Sequence, residues 1–123
     1  MITGVVTANH QAIIALTLHD SAGQPEVTEA LLDTGFNGFL TLPLLQIARL
    51  QFPYEGTMRV VLGDGQAVDL DMFIGTVLWD GQFREGIVLA AEGSALVGMA
   101  LLMGSRVTLE VEDGGLVTID RLP

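Results

Sequence analysis

One aspartate, Asp33, follows a predicted strand that could position its carboxylate for catalysis. Asp33 directly follows a predicted strand, Val27–Leu32, that ends apolar at Leu31 and Leu32, and it is itself followed by Thr34 and Gly35. An ionised carboxylate is costly to bury unless a partner group or a proton compensates its charge. Asp33 is therefore a candidate general acid or base. Taken alone, Asp-Thr-Gly also fits a plain turn that the aspartate side chain closes.

Other catalytic chemistries have little support in the chain. Cysteine is absent, which excludes disulfides, thiolate zinc sites and cysteine nucleophiles. The two histidines, His10 and His19, do not form a zinc-binding pattern. None of Ser21, Ser94 and Ser105 lies in a Gly-x-Ser-x-Gly elbow. We therefore expect no metal and no cofactor.

Length and charge limit the class of protein further. The 123 residues, half of them hydrophobic, suit a single domain over residues 1–123 with one core. Fifteen acidic residues against five arginines give a net charge of −10, which disfavours binding to nucleic acid or to anionic membranes. Neither a signal peptide nor an apolar run of about 18 residues is visible. We expect a soluble, cytoplasmic protein.

The elements that must position Asp33 are mostly short strands. Turn signals at Asp64-Gly65, Asp80-Gly81 and Gly114-Gly115 predict hairpins. A helix is predicted over Pro43–Leu50 and one helical turn over Met99–Met103. The predicted strands are Ile2–Thr7, Ala12–Leu18, Val27–Leu32, Arg59–Leu62, Ala67–Ile74, Val77–Trp79, Ile87–Ala90, Val107–Val111 and Leu116–Ile119. We expect an all-β fold of eight or nine strands in a closed or half-closed barrel.

Three segments together resemble a known family. Ala30–Gly38 is similar to the apolar-apolar-Asp-Thr-Gly loop of aspartic proteases. Leu96-Val97-Gly98 matches their later apolar-apolar-Gly segment, and Val60–Val68 stands between the two as their glycine-bearing flap does. The order is the same, and the single Asp-Thr-Gly resembles the small, single-domain prokaryotic members of the retropepsin-like (clan AA) group. The resemblance implies the barrel of the retroviral-type acid protease fold.

The resemblance also implies an activity and an assembly. The chain would be an aspartic endopeptidase that hydrolyses peptides or proteins with a water activated by two aspartates. Because one chain supplies one such motif, a homodimer would bring together an Asp33 from each subunit. Terminal strands build the dimer sheet in relatives, so Ile2–Thr7 and Leu116–Ile119 are candidates for that role.

The remaining roles are carried over residue by residue. Thr34 would form a hydrogen bond across the dimer, Gly35 would let the substrate backbone approach, and Asn37 would contact that backbone. Val97 and Gly98 would support the active-site loop from behind. The flap residues that would cover the substrate are Leu62, Gly63, Asp64 and Gly65. Leu31, Phe36 and Val97 suit either a substrate pocket or the core.

One departure from the family pattern leaves another class open. Ala100 stands where relatives often have Asp or Asn, a side chain that ties the helical turn to the backbone nearby. The alternative reading is a non-catalytic barrel of the same fold that serves as a protein-binding or assembly module. A weaker third reading is an acidic scaffold subunit of a larger complex. A binding module has no need to bring two Asp33 carboxylates together. A scaffold subunit would co-purify with a partner and tolerate replacement of Asp33.

Overall fold

The computed structural model describes all 123 residues. Strands hold 55% of the chain and helices 9%, so the predicted all-β class is confirmed. The elements are β1 Ile2–Val6, β2 Ala12–His19, β3 Pro25–Leu32, β4 Leu40–Leu42, α1 Leu44–Leu50, β5 Tyr54–Val61, β6 Ala67–Trp79, β7 Gln82–Ala90, β8 Ala95–Val97, α2 Met99–Leu102, β9 Ser105–Leu109 and β10 Leu116–Arg121. Neither helix is long and apolar enough to cross a membrane.

Six of the ten strands close a barrel. The sheet runs in the order β5-β6-β7-β4-β8-β3-β2-β1-β10-β9, and β6 pairs a second time, with β2, from Thr17↔Leu78 to His19↔Thr76. That second pairing joins β6, β7, β4, β8, β3 and β2 into a ring. β1, β10 and β9 extend the sheet beyond the ring.

The interior of the barrel follows from the alternation along its strands. Ile14, Leu16 and Leu18 of β2 are buried, and they join Val88 and Val97 in one apolar cluster. Burying each such side chain contributes about 1.5–3 kcal/mol. Helix α1 begins after Pro43, whose fixed φ suits a helix start, and packs two of its residues, Ile47 and Leu50, into the same cluster.

The three predicted hairpins are confirmed, although β5 and β7 begin earlier than predicted, at Tyr54 and Gln82, and one predicted break between strands is wrong. Asp80 and Gly81 form a two-residue turn with φ of 50° and 81°, which suits the twist of the strands they connect. β6 is one strand of 13 residues, where the sequence suggested a break between Ile74 and Val77. Gly75 does not interrupt it, because the place of its missing side chain is filled by Val88 and Phe52.

Strands β4 and β8 were not predicted as strands. Each has three residues, which is too few to show a periodic pattern, and each lies inside the barrel wall between two neighbours. The hydroxyl of Thr41, which is buried, accepts a hydrogen bond from the Leu96 N–H at 3.0 Å. These two short strands connect the segment that follows Asp33 to the segment that ends at Gly98.

An ion pair and hydrogen bonds connect α1 to β3. The Glu26 carboxylate accepts hydrogen bonds from Arg49 Nε at 3.0 Å, from Arg49 Nη2 at 2.9 Å and from Gln46 Nε2 at 3.0 Å. The hydrogen bonds from Arg49, followed by the one from Gln46, hold the pKa of Glu26 below its ordinary value of 4.5. A carboxyl whose pKa is lowered by folding stabilises the fold above its unfolded pKa, and this contribution is lost as the pH falls through the folded value.

We expect Glu26→Gln to lower Tm by about 1–5 °C at pH 7, since the partly exposed pair is worth little. The difference from the native chain should shrink as the pH falls from 4.5 through the lower pKa of Glu26 in the folded chain, because the native carboxyl is protonated below that pKa. Thermal unfolding between pH 7 and pH 3 measures it. Glu29→Gln removes the same charge from an exposed position on β3 and serves as the control. A deficit that persists unchanged at pH 3 would contradict this account.

Candidate active site

The parallel pairing of β3 and β8 brings Asp33 beside Gly98. Leu31 pairs with Leu96 and Leu32 with Val97, so the residues that follow the two strands emerge at the same end of the sheet. The Asp33 N–H extends this pairing by donating a hydrogen bond to Val97 O at 2.9 Å. Asp33 lies at the end of β3, as predicted, and is half-buried, although β3 itself is not a buried strand, because Ala30 is its one buried residue.

The loop that carries Asp33 crosses the end of β8 and returns on its other side as β4. Three backbone hydrogen bonds join the loop to the start of α2. They run from Gly98 N–H to Phe39 O at 3.2 Å, from Met99 N–H to Phe36 O at 2.8 Å and from Ala100 N–H to Gly38 O at 3.0 Å. The Ala100 side chain is exposed, and its N–H makes the tie to the loop directly. The hydrogen bonds between the loop and the helical turn are therefore made by backbone groups alone.

The Asp33 carboxylate is oriented by its own loop. Its Oδ1 accepts a hydrogen bond from the Gly35 N–H at 2.9 Å, and the Phe36 N–H donates to the Asp33 carbonyl at 3.1 Å. No hydrogen bond within the chain reaches Oδ2. The turn expected from Asp-Thr-Gly is therefore present, and it leaves one carboxylate oxygen available to a further group.

Position 98 requires glycine, because the neighbouring atoms of the loop leave no room for a side chain there. A Cβ there would lie 2.2 Å from Gly38 O and 2.5 Å from the Phe36 ring. At Gly35 a Cβ would lie 3.2 Å from Asp33 Oδ1, which is tight against the carboxylate. The Phe36 ring packs against Gly98 and Gly38, since a Cβ at either position would lie 2.5 Å from it. Val97 was predicted to line either a substrate pocket or the core. It is fully buried, so it belongs to the core.

The other residues of the loop face outward. Thr34, Gly35 and Asn37 are exposed, and Asn37 makes no side-chain hydrogen bond within the chain. Leu31 lies with Ile13 on an open depression of about 240 Å³. Thr34 borders another open depression, of about 340 Å³, which we call the Thr34 depression. Its remaining lining residues are Met99, Leu102, Met103, Gly104, Ser105, Val107 and Leu122.

The predicted flap residues form the exposed tip of the β5–β6 hairpin. Gly65 N–H donates to Leu62 O at 2.9 Å, and Leu62 N–H donates to Gln66 O at 2.8 Å. Asp64 Oδ1 accepts from the Gln66 N–H at 2.9 Å, while Gly65 has a φ of +85° and Gly63 is exposed. All these bonds lie within the hairpin. Within one chain, hydrogen bonds bring Asp33, Gly35, Val97 and Gly98 together, whereas the tip is not bonded to them.

Two side chains that support the site were missed from the sequence. Thr41 secures β8 against β4, as described above. Arg84 of β7 donates a hydrogen bond from Nη1 to Leu101 O at 2.6 Å, and so satisfies a free carbonyl at the end of α2. Neither residue lies in a motif, since each acts on a segment distant in sequence. No group of three or more His, Cys, Asp and Glu side chains is arranged to hold a metal ion.

Comparison with known proteins identifies the fold. A solved structure, the crystal structure of a retropepsin-like aspartic protease from Rickettsia conorii, superposes with a TM-score of 0.60 at 14% identity. The match covers 99% of this chain and 91% of that one. No family model and no curated protein matches the sequence. The chain therefore has the retropepsin-type fold, as its three motifs indicated.

Proposed function

We propose that residues 1–123 form one aspartic endopeptidase domain and that this domain acts as a homodimer. The observation that supports this best is the placement of Asp33. In a barrel of the retropepsin type, a half-buried carboxylate is held by the Gly35 N–H and by a loop bonded to Val97 and to α2, with Oδ2 left available. One chain offers one such carboxylate, so a second copy would supply the other.

The proposed reaction uses one proton shared by the two Asp33 carboxyls, because like charges so close cannot both stay ionised. The ionised carboxylate takes a proton from water while the oxygen of that water bonds to the scissile carbonyl carbon. The protonated carboxyl gives its proton to the carbonyl oxygen. The carboxyl that took the proton from water then gives it to the amine nitrogen as the C–N bond breaks, while the other carboxylate takes a proton from one hydroxyl of the resulting diol. A carboxylic acid and an amine are left, and the two carboxyls again share one proton.

The neighbouring residues would bind an extended peptide. Gly35 and Asn37 are exposed beside Asp33, where a substrate backbone would pass, and Thr34, which is also exposed, would form a hydrogen bond across the dimer. The exposed tip that contains Leu62, Gly63, Asp64 and Gly65 would close over the peptide and exclude water. Val97 and Gly98 would hold the loop in place from the core side.

The test is cleavage of a mixed peptide library by purified protein, with new termini identified by mass spectrometry. The proposal expects cleavage that is lost in Asp33→Asn and whose rate per chain falls on dilution, because the dimer dissociates. Cleavage that survives Asp33→Asn would reject Asp33 as the catalyst. Absence of cleavage combined with a strict monomer at every concentration would favour the non-catalytic binding module.

We expect Gly65→Val to lower kcat/KM by about tenfold while Tm changes little, because a β-branched residue at this φ distorts the tip that covers the substrate. The matched control is Gly23→Val. Gly23 has a φ of +81° in an exposed turn, so it carries the same backbone strain without any part in the proposed site. Equal kcat/KM in the two variants would contradict a role for the hairpin tip in catalysis.

A further inference from the structure

An arginine of β7 lies on the inner row of a barrel strand without a carboxylate partner. Arg84 pairs with Val77, which is fully buried, and it belongs to the same row of β7 as Val88. Arg84 is half-buried, and its hydrogen bond within the chain goes from Nη1 to Leu101 O. A partly buried charge is costly unless an opposite charge compensates it, yet no carboxylate lies within ion-pair distance of Arg84. Arg84 therefore has N–H donors left for a negatively charged group.

A cavity of about 190 Å³, which we call the Arg84 cavity, opens beside this arginine. Its apolar wall consists of Ile2, Trp79, Met103 and Ile119. A cavity of about 150 Å³ is enough to hold a benzene molecule. The Arg84 cavity therefore has room for a small ligand that carries an apolar group.

The charged groups of the cavity favour a carboxylate as the polar part of that ligand. Two of the chain's five arginines, Arg84 and Arg121, line it, and Arg121 also lacks an ion-pair partner. Of the two aspartates in the lining, Asp80 already forms an ion pair with the Met1 amine at 2.6 Å. Two guanidinium groups are thus left against one carboxylate, that of Asp120. Arginine binds carboxylates strongly, because its planar N–H groups match the two oxygens.

We propose that the Arg84 cavity binds the C-terminal residue of a peptide, with its carboxylate on the two arginines and an apolar side chain against Trp79 and Ile119. A peptide end fits better than a free carboxylic acid, because its last amide N–H can donate to Asp120, whose charge would otherwise only repel an anion. The inference goes beyond the proposed function. It does not depend on catalysis, because the cavity contains no residue of the candidate active site.

Calorimetric titration with N-acetyl-leucine tests the proposal, and N-acetyl-leucinamide is the matched compound without a carboxylate. The acid should bind with a dissociation constant in the millimolar range or below. The amide should bind at least about tenfold more weakly, which is the usual effect of losing a hydrogen bond to a charged group. Equal affinities of the two compounds, or no binding of the acid at millimolar concentration, would overturn the site.

Isocaproate separates the two sources of the carboxylate, because it keeps the apolar group but has no amide N–H. Weaker binding of isocaproate than of N-acetyl-leucine supports the peptide end. Equal or tighter binding of isocaproate would overturn the peptide end in favour of a free carboxylic acid.

Arg121→Gln tests the location of the site. It removes a guanidinium group from an exposed position, so the variant should fold, whereas Arg84→Gln also disturbs the hydrogen bond to Leu101 O. The dissociation constant of Arg121→Gln for N-acetyl-leucine should rise at least about tenfold. Arg106→Gln removes the same charge from an exposed position of β9 outside the cavity and should bind as the native chain does. Equal affinities of the Arg121 and Arg106 variants would overturn the inference.

Asp33→Asn distinguishes this site from the candidate active site. The variant should bind N-acetyl-leucine as the native chain does, because Asp33 does not line the Arg84 cavity. Binding that is lost in Asp33→Asn but kept in Arg121→Gln would place the ligand at the candidate active site and overturn the inference. Carboxylate binding that depends on Arg121, in a chain whose peptide cleavage survives Asp33→Asn, would support the cavity and reject the catalytic proposal.

Discussion

Asp33→Asn is expected to lower the rate of peptide cleavage by about 10²–10⁴-fold, the usual contribution of a general acid or base. An amide can neither accept the proton of the attacking water nor share a proton with the second carboxyl. The variant should fold normally, because an asparagine Oδ1 can still accept the hydrogen bond from the Gly35 N–H. The rate of library cleavage and Tm are the two measurements. Asp113→Asn, exposed in the β9–β10 turn, removes the same charge as a control.

The same variant also tests whether the site is shared between subunits. Mixed with a ninefold excess of Asp33→Asn chains, native chains should lose about nine-tenths of their activity, since most then pair with an inactive partner. A ninefold excess of Asp113→Asn should cause no loss. Full activity of native chains in excess Asp33→Asn would show that each chain works with its own carboxylate alone.

Gly98→Ala is expected to destabilise the fold by about 2–4 kcal/mol and to abolish cleavage. The added methyl group would lie 2.2 Å from Gly38 O, and no rotamer change can relieve a clash between two backbone-fixed atoms. Relief requires the loop to move away from α2, which breaks the hydrogen bonds from Met99 N–H and Ala100 N–H. Asp33 moves with that loop. Urea unfolding and the cleavage rate together measure both effects.

The control for this variant is Gly63→Ala, where an added Cβ meets nothing within 4 Å. It should unfold within about 0.5 kcal/mol of the native chain, as surface substitutions usually do. Native-like stability and cleavage in Gly98→Ala would mean that the loop and α2 are not as tightly joined as their backbone bonds indicate.

Local chemistry was enough to predict most of the long strands and the hairpins. Turn dipeptides such as Asp80-Gly81 require a positive φ, and the strands on either side alternate, so the pattern and the structure agree. Asp33 was singled out by the order of three motifs, since Asp-Thr-Gly alone also fits a plain turn. Gly98 was found from the order of motifs, although its reason, the approach of Gly38 O, is visible only in three dimensions.

The rest depends on contacts between segments distant in sequence. β4 and β8 are strands because the barrel pairs them on both sides, and three residues alone show no such preference. Thr41 and Arg84 act on Leu96 and Leu101, far along the chain, so no spacing rule predicts them. The Arg84 cavity joins residues of β1, β7 and β10, which lie far apart in the sequence.

The central claim is that two Asp33 carboxyls meet and share a proton. A structure of the dimer measures this directly, as the shortest distance between the carboxylate oxygens of the two Asp33 side chains. The proposal predicts about 2.5–3.0 Å, the range of an O–H···O hydrogen bond. A dimer in which these oxygens are too far apart to share a proton would contradict it, as would a chain that remains a monomer.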